Sequence, residues 1–231
     1  MALNVKTRWQ VIWRAVCVLL VLGFFGMLGL LVYNEKYLAE NRSERQPTVA
    51  GRPSGETGEQ EKIDETPRTK EEIAAYTVAP SKPRYLSIAR LGIVNARVVE
   101  VGLVSGGEVG APSNVFDVGW YTNSGIPGAG GAMLIDGHNG GPTVDGVFKH
   151  LDQIVLGDEL IVERGDGKIL KYEVKDKKIL SLKDANNLMA SMLGSIEAGK
   201  EGLNLISCTG EWNQSKQTYN SRVMIYAILK P

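Results

Sequence analysis

Along the chain the apolar residues change their spacing twice. Residues 15–33 carry no charge and are dominated by Leu, Val, Gly and Phe; residues 34–80 hold few large apolar side chains; from residue 81 onward apolar positions return as short runs broken by Gly, Pro, Asn and Asp. At about 1.5 Å per residue the first block reaches roughly 28 Å, close to the thickness of a bilayer core, and predicts a transmembrane helix. Lys6, Arg8 and Arg14 precede it, whereas Glu35, Lys36 and Glu40 follow. That asymmetry keeps residues 1–14 in the cytoplasm and puts the rest of this single-pass chain outside the cell. Trp9, Trp13, Tyr33 and Tyr37 are spaced like interfacial aromatics. A cleaved signal peptide is the alternative, but the apolar run is long and no small-x-small site follows it.

The second block carries ten acidic and seven basic residues that alternate rather than cluster. It cannot bury enough apolar surface to fold alone and reads as a solvated, flexible linker over 34–80, with a helical turn or two at 70–76. The third block, 81–231, is long enough for a core of its own. Arg84-Tyr85-Leu86-Ser87-Ile88 alternates, and strand-like runs recur at 96–101, 118–121, 132–138, 159–162, 169–174, 178–182, 203–206 and 223–229. The runs at 169–174 and 178–182 read equally as one bent strand. A helix is expected from an N-cap at Asp184 through Leu193. Many short strands with turn signals between them and little helix favour an all-β closed barrel over a doubly wound sheet. The Gly/Pro-rich stretch 124–131 precedes a strand rather than a helix, so it reads as a turn and not as a phosphate cradle.

Composition narrows the function by exclusion. Lys plus Arg equal Asp plus Glu at 26 each, so nothing in the composition points to a polyanion such as a nucleic acid as partner. Two histidines and two cysteines do not make a metal-ligand spacing, and Cys17 lies inside the apolar block, where it packs as a small hydrophobe. Cys208 is different. It is the lone thiol of a domain expected to face an oxidising exterior, at the end of the 203–206 run. Arg222 stands where the chain returns into the 223–229 run, and His138 ends another strand, between Gly137 and Asn139. A thiolate is the nucleophilic form, imidazolium or guanidinium favours it, and an arginine offers fixed donors to an oxyanion. The three are therefore sufficient for thioester chemistry, with His138 as acid and base. Whether Arg222 stabilises the oxyanion, positions substrate, or merely pairs with an acid such as Glu211 is not decided by sequence. The N–H of Thr209 is a candidate second oxyanion donor. Asp136 and Asn139 suit the strand end and turn. His150, on a short amphipathic turn, reads as a solvated residue, and Leu188, Met189 and Met192 as packing.

Around these residues the chain resembles the sortases, membrane-anchored cysteine transpeptidases of Gram-positive-type cell envelopes. Their motif runs roughly Thr-Leu-x-Thr-Cys with an arginine on the next strand; here it stands as Asn204-Leu205-Ile206-Ser207-Cys208, with Arg222 following. Leucine and cysteine match, Ser207 stands in for threonine, and Asn204 departs. The stretch from Val118-Gly119-Trp120-Tyr121 through the turn to His138 resembles the family's approach to its histidine. The resemblance implies an eight-stranded barrel with one or two short helices over 81–231. It also implies cleavage of an LPXTG-like sorting signal on surface proteins through a thioester, and transfer to an amine on a peptidoglycan precursor or a pilin lysine. It implies no required cofactor; some sortases bind calcium through acidic loop residues, and that loop does not align here. The aspartate-proline-aromatic lid of some pilus-building members is missing. A serine-x-glycine-cysteine sequence after a His-Gly pair, the mark of L,D-transpeptidases, is missing too. A membrane-tethered module that binds sorting signals without turnover remains the alternative to an enzyme.

Overall fold

A computed structural model describes residues 63–104 and 107–231, together with the backbone of Thr48–Val49, which pairs in parallel with Glu108–Val109. The segment expected to cross a membrane, residues 15–33, lies outside the described residues. Among those described, no helix is long and apolar enough to cross one.

Residues 63–80, which composition assigns to the flexible linker, are fastened to the domain. Asp64 exchanges backbone hydrogen bonds with Ser113 and Val115 at 2.8 and 2.9 Å. Helix α1 (Lys70–Ala75) opens on a capping box formed by Thr69 and Glu72. The Tyr76 hydroxyl donates to the Val98 carbonyl at 2.6 Å, and Arg84 Nε to the Tyr76 carbonyl at 2.7 Å. Backbone bonds and a cap hold the segment where apolar burial is scarce, and composition is blind to both.

Eight strands follow: β1 (Pro83–Ile88), β2 (Ile93–Val101), β3 (Val118–Tyr121), β4 (Ala132–Gly137), β5 (Glu159–Arg164), β6 (Ile169–Ser181), β7 (Gly202–Asn213) and β8 (Thr218–Leu229). They close into a barrel in the order β8-β6-β5-β1-β2-β3-β4-β7. The pairs β2–β3 and β4–β7 are parallel and the remainder antiparallel. Leu86, Trp120, Ile135, Leu160, Leu205 and Ile225 meet inside the barrel, closed by Phe148. A second cluster lies on the outside of β4, β7 and β8. There Leu134, Ile206 and Met224 are covered by helix α2 (Leu182–Leu188) and the 3-10 turn Met189–Leu193, through Ala185, Met189 and Met192. Strands buried on both faces need apolar residues at nearly every position, which is why 132–135 and 223–229 read as unbroken runs.

One alternative is resolved and one expectation changes. The runs at 169–174 and 178–182 are halves of one strand, β6, bent where its register with β8 shifts between Tyr226 and Ala227. Helix α2 starts earlier than expected, because the Ser181 hydroxyl accepts from the Asp184 N–H at 3.2 Å. Asp184 sits in the first turn instead of at the cap, where its carboxylate faces the positive end of the helix.

Candidate active site

The alternation of β4 sets the geometry of the site. Met133 and Ile135 point into the barrel and Leu134 points out, so Asp136 falls on the outer face and the same period carries His138 there. On β7, Leu205 points in and Ile206 out, which places Cys208 on that face as well. On β8, Met224 points out, and with it Arg222. Arg222 is the direct register partner of Cys208. Across the other edge of β7 the parallel ladder pairs Asp136 with Ile206, and continuing that register by two residues sets His138 beside Cys208. Neighbouring strands lie about 4.8 Å apart, so the three predicted residues form a row His138, Cys208, Arg222 about 10 Å long.

Cys208 and Arg222 do not close their strands as the apolar runs suggested. Strand β7 continues to Asn213 and β8 begins at Thr218, so both residues lie inside the hairpin ladder. The polar stretch pairs through its backbone, and its side chains leave no apolar trace in sequence.

Close packing shapes the histidine's surroundings. A Cβ on Gly137 would meet the Phe148 ring at 2.5 Å, and one on Gly146 would meet the His138 carbonyl at 2.2 Å, so only glycine fits either place. The His138 carbonyl accepts from the Phe148 N–H at 2.9 Å and the Asn139 carbonyl from the Gly146 N–H at 2.9 Å, which closes the loop after β4. His138 Nε2 lies 2.7 Å from the carbonyl of Pro112, in the β2–β3 connection. A carbonyl only accepts, so Nε2 bears the proton in that bond and Nδ1 is the nitrogen of the neutral ring that can take one up.

Arg222 is 0% exposed. Its Nη1 donates to the carbonyls of Tyr219 at 3.0 Å and Ser221 at 2.9 Å, and its Nη2 to Thr218 Oγ1 at 3.0 Å. These bonds hold the guanidinium to the start of β8, away from the pairing with Glu211 that the sequence leaves open. Its charge also reaches Asp136. Burial pushes that carboxyl up to about 7, against the opposing pull of the Gly137 N–H and of Arg222.

Two side chains that sequence leaves to the strand end and turn, or treats as part of a motif, join the strands at the site. Ser207 Oγ donates to the Gly137 carbonyl at 2.7 Å, and Asn139 Nδ2 donates to the Cys208 carbonyl at 2.9 Å. The C=O and N–H of a trans peptide point in opposite directions. With the Cys208 carbonyl turned toward β4, the Thr209 N–H is turned toward β8, where Thr209 pairs with Ser221. His150 is exposed beside Gln153 and stands apart from the row. The Pro112 carbonyl carries no sequence signal, since any residue could supply it.

Residues 86–230 match the sortase domain family model. Among solved structures, the chain is similar to sortase C1 of the GBS pilus island 1, at 19% identity over 68% of this chain and 67% of that one, with a TM-score of 0.48. It is similar to sortase C-1 of Actinomyces oris at 20% identity over 67% and 76%, TM-score 0.48. The sortase D5 transpeptidase of Clostridium perfringens gives 19% identity over 71% and 90%, TM-score 0.46. No curated protein matches the sequence.

Proposed function

The chain belongs to the sortase family, whose members are cysteine transpeptidases, and on that premise we propose that Cys208, His138 and Arg222 carry out transpeptidation of surface proteins from a membrane-anchored chain. In this reading Cys208 Sγ bonds to the threonine carbonyl carbon of an LPXTG-like sorting signal. The scissile C–N bond breaks, and His138 gives a proton to the leaving amine. An amine acceptor, on a peptidoglycan precursor or a pilin lysine, then attacks the thioester. Its proton passes to His138, the new C–N bond forms, and the thiolate leaves. Arg222 holds donors where negative charge develops on the carbonyl oxygen or on the bound peptide. The apolar block at 15–33 would anchor this reaction to the outer surface of the membrane.

The observation that carries the proposal is the register. Cys208 and Arg222, chemically suited with His138 to thioester exchange, are register partners on one face of β7 and β8, and His138 directly follows β4, the strand on the other edge of β7. The full chain is to be incubated with a fluorogenic LPXTG-like peptide and an amine. Cleavage with amine transfer is expected, and Cys208→Ala should reduce it at least about a thousandfold. Activity that survives Cys208→Ala would remove the nucleophile assignment. Peptide binding with no turnover in the unmodified chain would leave the tethered binding module as the reading.

A further inference from the structure

The backbone ladder between β4 and β7 stops short of the proposed catalytic pair. Its recorded partners run from Ala132 and Gly202 to Asp136 and Ile206, one pair before Gly137 and Ser207 and two before His138 and Cys208. Beyond that point two side chains take over. Ser207, before the cysteine, holds the carbonyl before the histidine; Asn139, after the histidine, holds the carbonyl of the cysteine itself. Both are enclosed, Ser207 being 1% exposed and Asn139 7%.

We propose that Asn139 is a positioning residue of the transpeptidation reaction, its carboxamide fixing the separation and orientation of Cys208 and His138 by donating to the Cys208 carbonyl. This rests on the reading of those two residues as nucleophile and acid/base. The physical case has three parts. The backbone of residues 138 and 139 is tied to its own loop through Phe148 and Gly146. The Asn139 carboxamide bonds this loop to the residue carrying the thiol. The same bond, with the pairing of Thr209 and Ser221 on the other edge, holds the plane of the 208–209 peptide group from which the Cys208 side chain projects. The carboxamide's orientation is determined as well, because the opposite flip would set an oxygen against the carbonyl oxygen. Its Oδ1 is buried with no hydrogen-bond partner among the described residues. A fold that keeps an uncompensated acceptor in order to make one bond marks that bond as functional.

The test uses the full chain with Asn139→Asp, which keeps the size and removes the donor, and Asn139→Ala, which removes the group. The readouts are kcat and KM for the peptide, the pH dependence of kcat, and the rate of thiol labelling by a methanethiosulfonate reagent. A displacement on the order of 1 Å costs about a hundredfold in rate. Both variants should therefore lose about 10- to 100-fold in kcat with KM within about twofold, and both should show altered pH limbs for activity and labelling. Two folded variants that keep kcat and the pH limbs within about twofold of the parent would overturn the proposal. So would failure of both to fold, which would assign Asn139 to stability alone. Cys208→Ala and His138→Ala are run alongside. If they leave turnover intact, the catalytic pair itself is wrong, a result separable from any effect at Asn139.

Discussion

The two sides of the barrel treat their carboxylates in opposite ways. Where β5 and β6 face solvent, Glu159 and Glu173 are register partners, two like charges side by side. Each is held below the ordinary carboxylate range by lysine contacts, Glu159 by Lys230 and Lys171 and Glu173 by Lys175. On the side of β4, β7 and β8 the outer face lies under α2, and the carboxyl of Asp136 is pushed up although Arg222 attracts it. Water and mobile lysines relieve charge on the first side. On the second, burial raises the Asp136 carboxyl, and the groups that oppose the rise are fixed in place, the Gly137 N–H and Arg222. An oxyanion that needs fixed donors is better served where such groups are already held in place.

The comparison can be broken at three levels. The largest effect is expected at the cover. Met192 is fully buried against the outer cluster, and Met192→Ala should lower unfolding stability by about 3 kcal/mol, measured by denaturant titration. A loss under about 1 kcal/mol would mean that the cover is loosely packed.

An intermediate effect is expected at Asp136, and its sign follows from proton linkage. The folded state holds the Asp136 proton more tightly than the unfolded chain does. Its contribution is therefore full at pH values below the ordinary carboxylate range and is lost as pH rises through about 7. Asp136→Asn cannot ionise, so its stability relative to the parent should rise between about pH 4 and 8, by on the order of 1–2 kcal/mol, discounted because the residue is partly exposed. A difference that stays flat across that range in thermal melts would place Asp136 in an environment no drier than that of Glu159.

The smallest effect is expected on the solvent side, where Lys171→Ala removes an exposed pair to Glu159 recorded at 3.1 Å. The melting temperature should stay within about 2 °C, because solvent screens such pairs. A larger drop would show that the lysine layer stabilises the barrel after all.

The same contrast governs what could be read in advance. Alternation and continuous apolar runs are local signals, and they located every strand from β1 to β8. The candidate trio stood out in sequence because residues 81–231 hold one cysteine and two histidines, and Cys208, His138 and Arg222 each adjoin an apolar run. The fastening of residues 63–80 was not legible, since capped turns and backbone bonds leave little compositional trace. Nor were the contacts from Pro112 to His138 or from Asn139 to Cys208, because main-chain carbonyls look alike at every position.

Sequence alone carries the strand periodicity, the family motif around Cys208 and a set of candidates for thioester chemistry. These depend on residue type and spacing along one chain. The folded barrel alone sets Arg222 opposite Cys208 in the β7–β8 ladder and ends the β4–β7 ladder two residues before His138. It alone decided that an asparagine continues the ladder where the backbone pairing stops. Register and side-chain closure between strands tens of residues apart arise from the barrel as a whole, which must fill its interior and satisfy its buried polar groups together.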